Sequence, residues 1–512
     1  MNGAESLVRT LVAAGVDTCF ANPGTSEMHL VAALDKVPGM RCVLGLQENV
    51  VTGMADGYFR IAGKPACTLL HCGPGLANGL GNLHNARRAR SAVVNVIGDQ
   101  ATYHRPFDAP LTADTDSLAR TVSGWVRTSA EAEHVGGDIA DAVHAAWSPP
   151  GQIASLIVPM DTCWGENGRI GALRPPPPRP SFDPMTIETA ARMLRDGRAL
   201  LLLGGKATST RSQFLAWSIA RSTGATVLAE YGTAIVQRGR GRVPLARVPY
   251  GMDEAIETLR QFSTVILVCA KPPVGFYAYP GKPSVQHQAD AHLHTLARPD
   301  QDPESALKAL ADLLKAKEAP LPDLGPRPEP VSGPISSETL ARTLAALMPE
   351  DAIISDESVS FGRDFFRYTH AAAPHDWLHL TGGAIGQGLP VATGAAIAGG
   401  SRRVIGLQAD GSAMYSLQAL WTQARERLPV TTILLNNRRY KILINEFMAV
   451  ASSPGPTAMG LFDLDRPELD WIRMAEGMGV EAGRATTMDE CADLMRSSFR
   501  KNGPFLIELR VP

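Results

Sequence analysis

The stretch Leu407–Tyr440, "LQADGSAMYSLQALWTQARERLPVTTILLNNRRY", carries an acidic turn and a pair of asparagines at two points where apolar runs stop. The first run stops at Asp410 and the second at Asn437, 27 positions later (437 − 410). A helical stretch lies between them, which is typical of a parallel α/β unit. Because parallel strands place their carboxyl ends at one edge of a sheet, we expect Asp410 and Asn437 to lie close together.

Similar apolar runs alternate with helical stretches along all 512 residues, a length that suits about three domains. The runs are continuous rather than alternating, which indicates strands covered on both faces, as in parallel sheets. Two proline-rich segments, Leu173–Pro184 and Ala319–Pro334, divide the runs and are typical of exposed linkers. The sequence therefore predicts an α/β fold with three doubly wound parallel-sheet domains, at 1–172, 181–318 and 335–512.

Composition excludes several classes of protein. Hydrophobic residues make up 45% and charged residues 20%, which is ordinary for a globular chain, and the net charge of −2 gives no field that would attract nucleic acid or an anionic membrane. Seven cysteines without a C-x-x-C pair indicate reduced thiols. With neither a secretion signal nor a run of about 18 apolar residues, we expect a cytoplasmic protein.

The opening stretch also predicts a particular chemistry. Asp410 and Asn437 offer hard oxygen ligands of low total charge, which suit Mg²⁺ with phosphate oxygens as its further ligands. Gly411 would let the backbone approach a phosphate, and a helix beginning near Ser412 would offer free N–H groups. A metal-bridged diphosphate is one interpretation; the other is that Asp410 caps a helix and the asparagines form a turn.

This pattern resembles the signature of the thiamine-diphosphate (ThDP) enzymes, in particular benzoylformate decarboxylases and acetolactate synthase large subunits. Four further segments resemble that superfamily in the same order: "FANPGTSE" (Phe20–Glu27), "LGLQENVVTGMADGYFRIAGKPA" (Leu44–Ala66), "HCGPGLANGLGNLHNARR" (71–88) and "GGAIGQGLP" (Gly382–Pro390). The resemblance implies ThDP and Mg²⁺ as cofactors, and pyrimidine-binding, central and diphosphate-binding domains in that order. Ala409 departs from the usual opening glycine.

The resemblance also implies roles for particular residues. Asp410, Asn437 and the backbone carbonyl of Arg439 would hold the metal. Glu48 would hydrogen-bond the aminopyrimidine ring, although alone it would be interpreted as a solvated helix start. The residues implied to bind the cofactor are Glu48, Glu357, Ser358, Ser360, Gly383, Ile385, Asp410, Gly411, Ser412, Asn437 and Tyr440. Of these, Ile385 would wedge the two rings into a V, and Gly383 would offer its carbonyl to the 4′-amino group.

The reaction is predicted from three features. His71 matches a catalytic histidine of benzoylformate decarboxylases, and Thr25 matches a serine that meets the substrate carboxylate. Pro-Leu in "DAPLT" (Asp108–Thr112) replaces the Phe-Gln pair of acetolactate synthases. We therefore predict a lyase that decarboxylates a 2-oxo acid and has carboligase capacity. The alternatives are an acetolactate synthase-type carboligase, and a ThDP-binding regulatory or assembly subunit.

Other features point away from a simple decarboxylase. The second histidine of that enzyme falls in "PPVGFYAYPG" (272–281), which has none, so Tyr277 or His104 would have to replace it. Glu446 falls near a position that is aromatic there. His71 itself could be only a hydrogen-bonded histidine at a strand end.

The central region and the assembly complete the expectations. "LLGGKATST" (202–210) is a weak nucleotide-like turn, but the longer arginine-bearing segment of acetolactate synthases is not evident, which argues against FAD. Arg438, Arg439 and Lys441 form either a solvated basic patch or a site for an acidic second substrate. The resemblance implies a homodimer or homotetramer with active sites at the subunit interface, acting on a 2-oxo acid and an aldehyde acceptor. The identity of the 2-oxo acid stays open.

Overall fold

The computed structural model describes residues 1–195, 198–451 and 453–512. Its strands form three sheets of six, five and seven members, with helices packed on their faces. The predicted α/β class with three doubly wound domains is confirmed, because each sheet consists mainly of parallel strands. No helix in these ranges is both long and apolar enough to cross a membrane.

The first sheet is wholly parallel, with strand order β2-β1-β3-β4-β6-β5. Its central strands β3, β4 and β6 are buried along their whole length, which explains their continuous apolar sequences. The strands are β1 (Thr18–Asn22), β2 (Arg41–Leu44), β3 (Ala66–Leu70), β4 (Val93–Asp99), β5 (Trp125–Thr128) and β6 (Ile153–Pro159). The helices are α1 (Gly3–Ala13), α2 (Met28–Lys36), α3 (Glu48–Ala62), α4 (Cys72–Ala89), α5 (Thr115–Arg120), α6 (Ala132–Trp147) and α7 (Met160–Trp164).

The second sheet has the order β10-β8-β7-β11-β12 and is built around two fully buried strands, β7 and β11. The strands of this region are β7 (Ala199–Leu203), β8 (Thr226–Ala229), β9 (Ile235–Arg238), β10 (Ala246–Arg247), β11 (Thr264–Val268) and β12 (His292–Ala297). The helices are α8 (Pro184–Met193), α9 (Thr210–Thr223), α10 (Met252–Leu259) and α11 (Pro303–Leu314). Prolines at the first helical positions of α8 and α11 follow aspartate caps, a common helix start.

The third sheet has the order β17-β18-β16-β15-β13-β14-β9. Its own strands are β13 (Ala352–Glu357), β14 (His375–His379), β15 (Val404–Ala409), β16 (Val430–Asn436), β17 (Glu481–Ala485) and β18 (Phe505–Arg510). The helices are α12 (Ser337–Leu347), α13 (Phe365–Tyr368), α14 (Gly388–Gly399), α15 (Asp410–Ala413), α16 (Ala419–Arg425), α17 (Lys441–Val450), α18 (Pro456–Phe462), α19 (Trp471–Gly477) and α20 (Met488–Phe499).

One strand departs from the expected domain organisation. β9 lies within the range predicted as the central domain, but it pairs antiparallel with β14 at the edge of the third sheet. Its last residue, Arg238, is buried, with its guanidinium 3.5 Å from the ring centroid of Phe366 and 5.0 Å from that of Trp377. The third sheet is therefore mixed, and the domain boundaries stay a prediction.

The N-terminal and C-terminal domains pack through helices α3 and α14. A Cβ added at Gly57 would lie 2.2 Å from the carbonyl oxygen of Val391, and one at Gly394 would lie 1.9 Å from that of Met54. Glycine is therefore required for this close approach of the two backbones. Arg60 reinforces the packing, because it donates to the carbonyl oxygen of His379 over 2.7 Å.

Candidate active site

The carboxyl ends of β15 and β16 bring Asp410 and Asn437 to one edge of the third sheet, as predicted. The two strands are neighbours, with Ala409 in register with Leu435. The Asp410 carboxylate is buried and accepts hydrogen bonds from the backbone N–H groups of Gly411 (2.8 Å) and Arg438 (2.7 Å). The half-buried Asn437 accepts from the N–H of Arg439 over 3.1 Å.

Among the residues that the structure describes, no cationic side chain pairs with Asp410. Burial raises the pKa of this carboxyl to about 6, although the backbone hydrogen bonds oppose that shift. The carbonyl oxygen of Arg439 accepts from the N–H of Lys441 over 3.0 Å and keeps a second lone pair. A carboxylate, an amide oxygen and a carbonyl form the hard-oxygen donor set that fits Mg²⁺.

A pocket of about 400 Å³, including the part open to solvent, surrounds these donors. Six residues predicted to bind the cofactor line it, and that role stays a prediction: Ser358, Ser360, Ile385, Gly411, Ser412 and Tyr440. Gly411 is required for a close contact, because a Cβ there would lie 2.4 Å from the Tyr440 ring. The expected helix near Ser412 is a single turn, α15, and the next helix begins only at Ala419.

Glu357 does not line this pocket, and its predicted role in binding the cofactor stays a prediction. Its buried carboxylate accepts from the N–H groups of Gly386 (2.7 Å), Gln387 (3.2 Å) and Gly388 (2.8 Å) and from the Gln408 side chain (2.9 Å). Burial raises the pKa of Glu357, and these hydrogen bonds oppose that effect. Within this chain, Glu357 therefore holds the segment that follows Ile385.

That segment has the backbone freedom that only glycine readily supplies. Gly383 has φ +80° and Gly386 has φ +94°. Between them, Ile385 is half-buried and projects into the pocket lining. Helix α4 of the N-terminal domain also holds the segment, since Asn85 donates to the carbonyl of Ala384 over 2.7 Å and Asn82 to that of Gly386 over 3.2 Å.

Glu48 occupies the first position of α3. The side chain of Gln47 caps this helix by accepting from the N–H groups of Asn49 and Val50. The residue Glu48 is only 9% exposed, so the alternative of a solvated glutamate is wrong. Among the described residues, only the Asn78 side chain donates to this carboxylate, over 3.1 Å. Oε1 of Glu48 therefore accepts no hydrogen bond from the described residues of this chain.

His71 belongs to a hydrogen-bonded cluster at the ends of β1 and β3, which are adjacent strands. Its Nδ1 lies 2.9 Å from Oε2 of Glu27 and 3.0 Å from Oγ of Ser26. Glu27 is fully buried and also accepts from the N–H of Gly24 over 2.7 Å. Because a carboxylate only accepts, this network assigns the proton to Nδ1 and leaves Nε2 of His71 free of Glu27.

Glu27 and Ser26 were missed from the sequence, although the motif that contains them was recognised. The signal that could have found them is that β1 and β3 are neighbouring parallel strands, because such strands bring together the residues that follow each of them. Thr25, which was predicted as catalytic, begins a 3₁₀ turn and is exposed. Tyr277 is 66% exposed, and it is Phe276 that packs against Gly383.

Within one chain, the two groups of predicted residues remain separate. Every residue that lines the pocket belongs to the C-terminal domain, from Ser358 to Ile442. Glu48 and His71 make their hydrogen bonds inside the N-terminal domain. His104, the other substitute for a second histidine, is exposed and packs its ring against Phe107 at 6.1 Å.

The central sheet has its own crevice where β7 and β11 end, which is the usual ligand position in a doubly wound sheet. Arg90 from the N-terminal domain enters this crevice and donates to the carbonyl of Cys269 over 3.1 Å. The buried Glu230 carboxylate lies against Gly204 and accepts from the N–H of Lys271 over 3.3 Å.

Comparisons with known proteins agree with this geometry. Residues 1–119 match the family described as "Thiamine pyrophosphate enzyme, N-terminal TPP binding domain", and residues 359–509 match "Thiamine pyrophosphate enzyme, C-terminal TPP binding domain". A Mycobacterium tuberculosis protein provisionally named acetolactate synthase large subunit IlvX is 48% identical over 516 residues, covering 100% of this chain and 99% of that protein.

Two decarboxylases are also similar over nearly the whole chain. Benzoylformate decarboxylase of Pseudomonas aeruginosa is 29% identical over 530 residues, covering 97% of this chain and 96% of that enzyme. The solved structure of the Rhodococcus jostii ThDP-dependent 4-hydroxybenzoylformate decarboxylase superposes with a TM-score of 0.86 at 27% identity, covering 100% and 99% of the two chains.

The chain belongs to the thiamine diphosphate-dependent enzyme family. It is a ThDP-dependent enzyme of the decarboxylase or acetolactate synthase type and acts on small molecules. The superfamily predicted from the sequence is therefore confirmed.

Proposed function

We propose that the protein is a ThDP- and Mg²⁺-dependent decarboxylase that converts a 2-oxo acid to an aldehyde and CO₂, with carboligation as a secondary reaction. The observation that carries this proposal is the hydrogen bond between Nδ1 of His71 and the buried carboxylate of Glu27. When bound, ThDP supplies the nucleophile and the electron sink that decarboxylation requires.

The residues of the pocket would hold the cofactor. Asp410, Asn437 and the carbonyl of Arg439 would bind Mg²⁺ and, through it, the diphosphate. Ile385 and Gly383 would support the rings, since their segment is held from behind by Glu357. This arrangement restricts the cofactor before any substrate arrives.

The N-terminal residues would move protons. Glu48 would hold a proton at the aminopyrimidine ring with the oxygen that no described residue occupies. His71 would exchange a proton at Nε2, because Glu27 accepts from Nδ1 and so orients the imidazole. Thr25 would offer its exposed hydroxyl to the substrate carboxylate. Protonation by His71 yields an aldehyde and thereby competes with attack on a second carbonyl.

We also propose that each complete site forms between two copies of the chain, in a homodimer or a homotetramer. Two observations support this assembly: the pocket is lined only by C-terminal residues, and Glu48 keeps a free oxygen in the described part of one chain. Closed symmetry would give two equivalent sites for each dimer.

Acetolactate synthase-type carboligation is the second candidate, and the provisional name of the relative at 48% identity favours it. The test is to supply pyruvate and benzoylformate separately to the protein with ThDP and Mg²⁺ and to identify the products by chromatography. Benzaldehyde and CO₂ from benzoylformate would support the decarboxylase. Acetolactate as the sole product would establish the synthase instead, and no turnover at all would leave the regulatory subunit as the better description.

A further inference from the structure

Three side chains of the types that bind transition metals meet where β1 and β3 end. They are the Glu27 carboxylate, the His71 imidazole and the Cys72 thiol, and one ligand atom of each lies within 4.8 Å of the other two. The Ser26 hydroxyl contacts the same group, 3.0 Å from Nδ1 of His71 and 3.1 Å from Sγ of Cys72. Carboxylate, imidazole and thiolate are the three ligand types that zinc takes in proteins.

The backbone of Cys72 allows two consecutive side chains to reach one place. Cys72 is the first residue of α4 and has φ +50°, a left-handed conformation that is uncommon outside glycine. The side chains of His71 and Cys72 both contact Ser26, which follows the neighbouring strand β1. The three ligands therefore stand at the ends of regular elements, which hold side chains more precisely than long loops do.

Two glycines allow the carboxylate and the imidazole to pack directly against the backbone. A Cβ at Gly24 would lie 2.3 Å from the His71 ring, and a Cβ at Gly98, on β4, would lie 1.7 Å from Oε1 of Glu27. Oε2 of Glu27 is fixed as well, because it accepts from the N–H of Gly24 over 2.7 Å. These ligands are thus positioned before any metal arrives, which lowers the entropic cost of binding.

The charges of the three groups match those of a divalent cation. Glu27 is fully buried, and within the described ranges its only ion-pair partner is His71. A carboxylate, a thiolate and a neutral imidazole around Zn²⁺ would have no net charge, which avoids the cost of a buried net charge. Mg²⁺ prefers oxygen ligands alone, so the set around Asp410 and Asn437 suits it better than this one.

We propose that Glu27, His71 and Cys72 form a Zn²⁺ site whose occupation inhibits the enzyme. Zn²⁺ would bind Oε2 of Glu27, Nδ1 of His71 and Sγ of Cys72, with water as the fourth ligand. The proton on Nδ1 would move to Nε2, and the thiol proton would leave to solvent, because a coordinating thiol is deprotonated.

Inhibition follows from the nitrogen that the metal would occupy. With Nδ1 of His71 on Zn²⁺ and a proton on Nε2, the imidazole can neither accept a second proton nor readily lose the one that it holds. The exchange at Nε2 would therefore stop. This inhibitory role rests on the proposed function, because it assumes that His71 exchanges a proton there, whereas metal binding does not depend on it.

Metal binding is tested with Co²⁺, which occupies tetrahedral zinc sites and gives a charge-transfer absorption band when it is bonded to a thiolate. The cofactor-free protein is titrated in an excess of Mg²⁺. We expect this band in the wild type, its loss when Zn²⁺ is added, and no band in Cys72→Ser. Two matched controls should keep it: Cys42→Ser removes an exposed thiol, and His134→Ala removes the histidine of an exposed group with Glu131 and Glu133.

A second variant separates the loss of a ligand from a loss of folding. Glu27→Gln keeps the size of the side chain but removes its charge, and it should weaken Zn²⁺ binding about a hundredfold in competition with a chelating dye. No thiolate band in the wild type, a band that persists in Cys72→Ser, or Zn²⁺ affinity unchanged in Glu27→Gln would each overturn the site.

Inhibition is measured as the ratio of aldehyde formation with and without Zn²⁺, in the presence of ThDP and excess Mg²⁺. In the wild type, saturating Zn²⁺ should lower the rate about a hundredfold, as expected when a proton-transfer group is lost. In Cys72→Ser, the same Zn²⁺ concentration should have a much smaller effect. Equal inhibition of both proteins would overturn the inhibitory role. No turnover under any condition would refute the proposed function and that role with it, whereas the Co²⁺ band would still decide whether the site exists.

Discussion

Asp410 and its neighbours in the C-terminal domain differ from the cluster around His71 in how their charges are held. The Asp410 carboxylate is buried, and within the described part of the chain it is bonded to backbone N–H groups and pairs with no cation. Glu27, in contrast, is buried against an imidazole that can share its charge. The first site is shaped by strand ends and calls for an external cation, whereas the second is complete in its own hydrogen bonds. We therefore expect cofactor binding to depend on the first region and proton transfer on the second.

The largest expected effect is the loss of cofactor binding in Asp410→Ala. Removing the carboxylate eliminates the only anionic metal ligand of the proposed set, so we expect affinity for ThDP in the presence of Mg²⁺ to fall roughly a hundredfold or more. Calorimetry with Mg²⁺ and with EDTA measures this effect. Asp493→Ala, an exposed carboxylate on α20, is the control and should bind as wild type. Equal ThDP affinity of the wild type in Mg²⁺ and in EDTA would contradict the metal bridge.

His71→Ala should slow aldehyde formation about a hundredfold, because it removes the proposed proton donor, and should leave ThDP affinity nearly unchanged. Glu27→Gln should have a smaller effect, roughly tenfold, since an amide can present its NH₂ to Nδ1 and favour the wrong tautomer. Stopped assays of aldehyde and hydroxyketone products measure both. An unchanged aldehyde yield in His71→Ala would remove the main support for the decarboxylase.

Glu357→Gln tests whether a residue behind the pocket acts through the backbone. The amide would lose at least one acceptor for the N–H groups of Gly386 and Gly388, so the segment after Ile385 should loosen. We expect ThDP affinity to fall by about tenfold or less, with a lower thermal midpoint of the cofactor-free protein. A loss as large as that of Asp410→Ala, without any change in the midpoint, would indicate direct contact with the cofactor.

The smallest loss of activity relative to wild type is expected when two variants, one defective in each region, are expressed together. Glu48→Gln and Asp410→Ala are each expected to be poorly active, yet their co-expression should restore about a quarter of wild-type activity. Half of the dimers would then be hybrids, and each hybrid would have one intact site of two. Activity that stays at the level of the single variants would show that both regions serve the same chain's site.

The sequence alone was sufficient for the class of fold and for the placement of Asp410 and Asn437 at neighbouring strand ends. Strands such as β7 and β16 are continuous apolar runs because both of their faces are buried, so they are visible without a structure. Edge strands such as β12 and β17 are partly exposed along their length and have no such pattern, and they were missed. Asp410 and Asn437 could be paired in advance because each directly ends a recognisable strand.

Tertiary structure alone decided which partners the remaining residues contact. The contact between Glu27 and His71 spans 44 positions and depends on β1 and β3 lying side by side. The approach of Glu446 to Tyr279 joins two domains across 167 positions, and no local pattern encodes such a distance. Glu357 lies at a strand end like Asp410, but its carboxylate is taken up by the backbone of a distant segment. Local periodicity reports which face of a strand or helix is buried, whereas the partner of a polar side chain is set by the packing of elements that are remote in sequence.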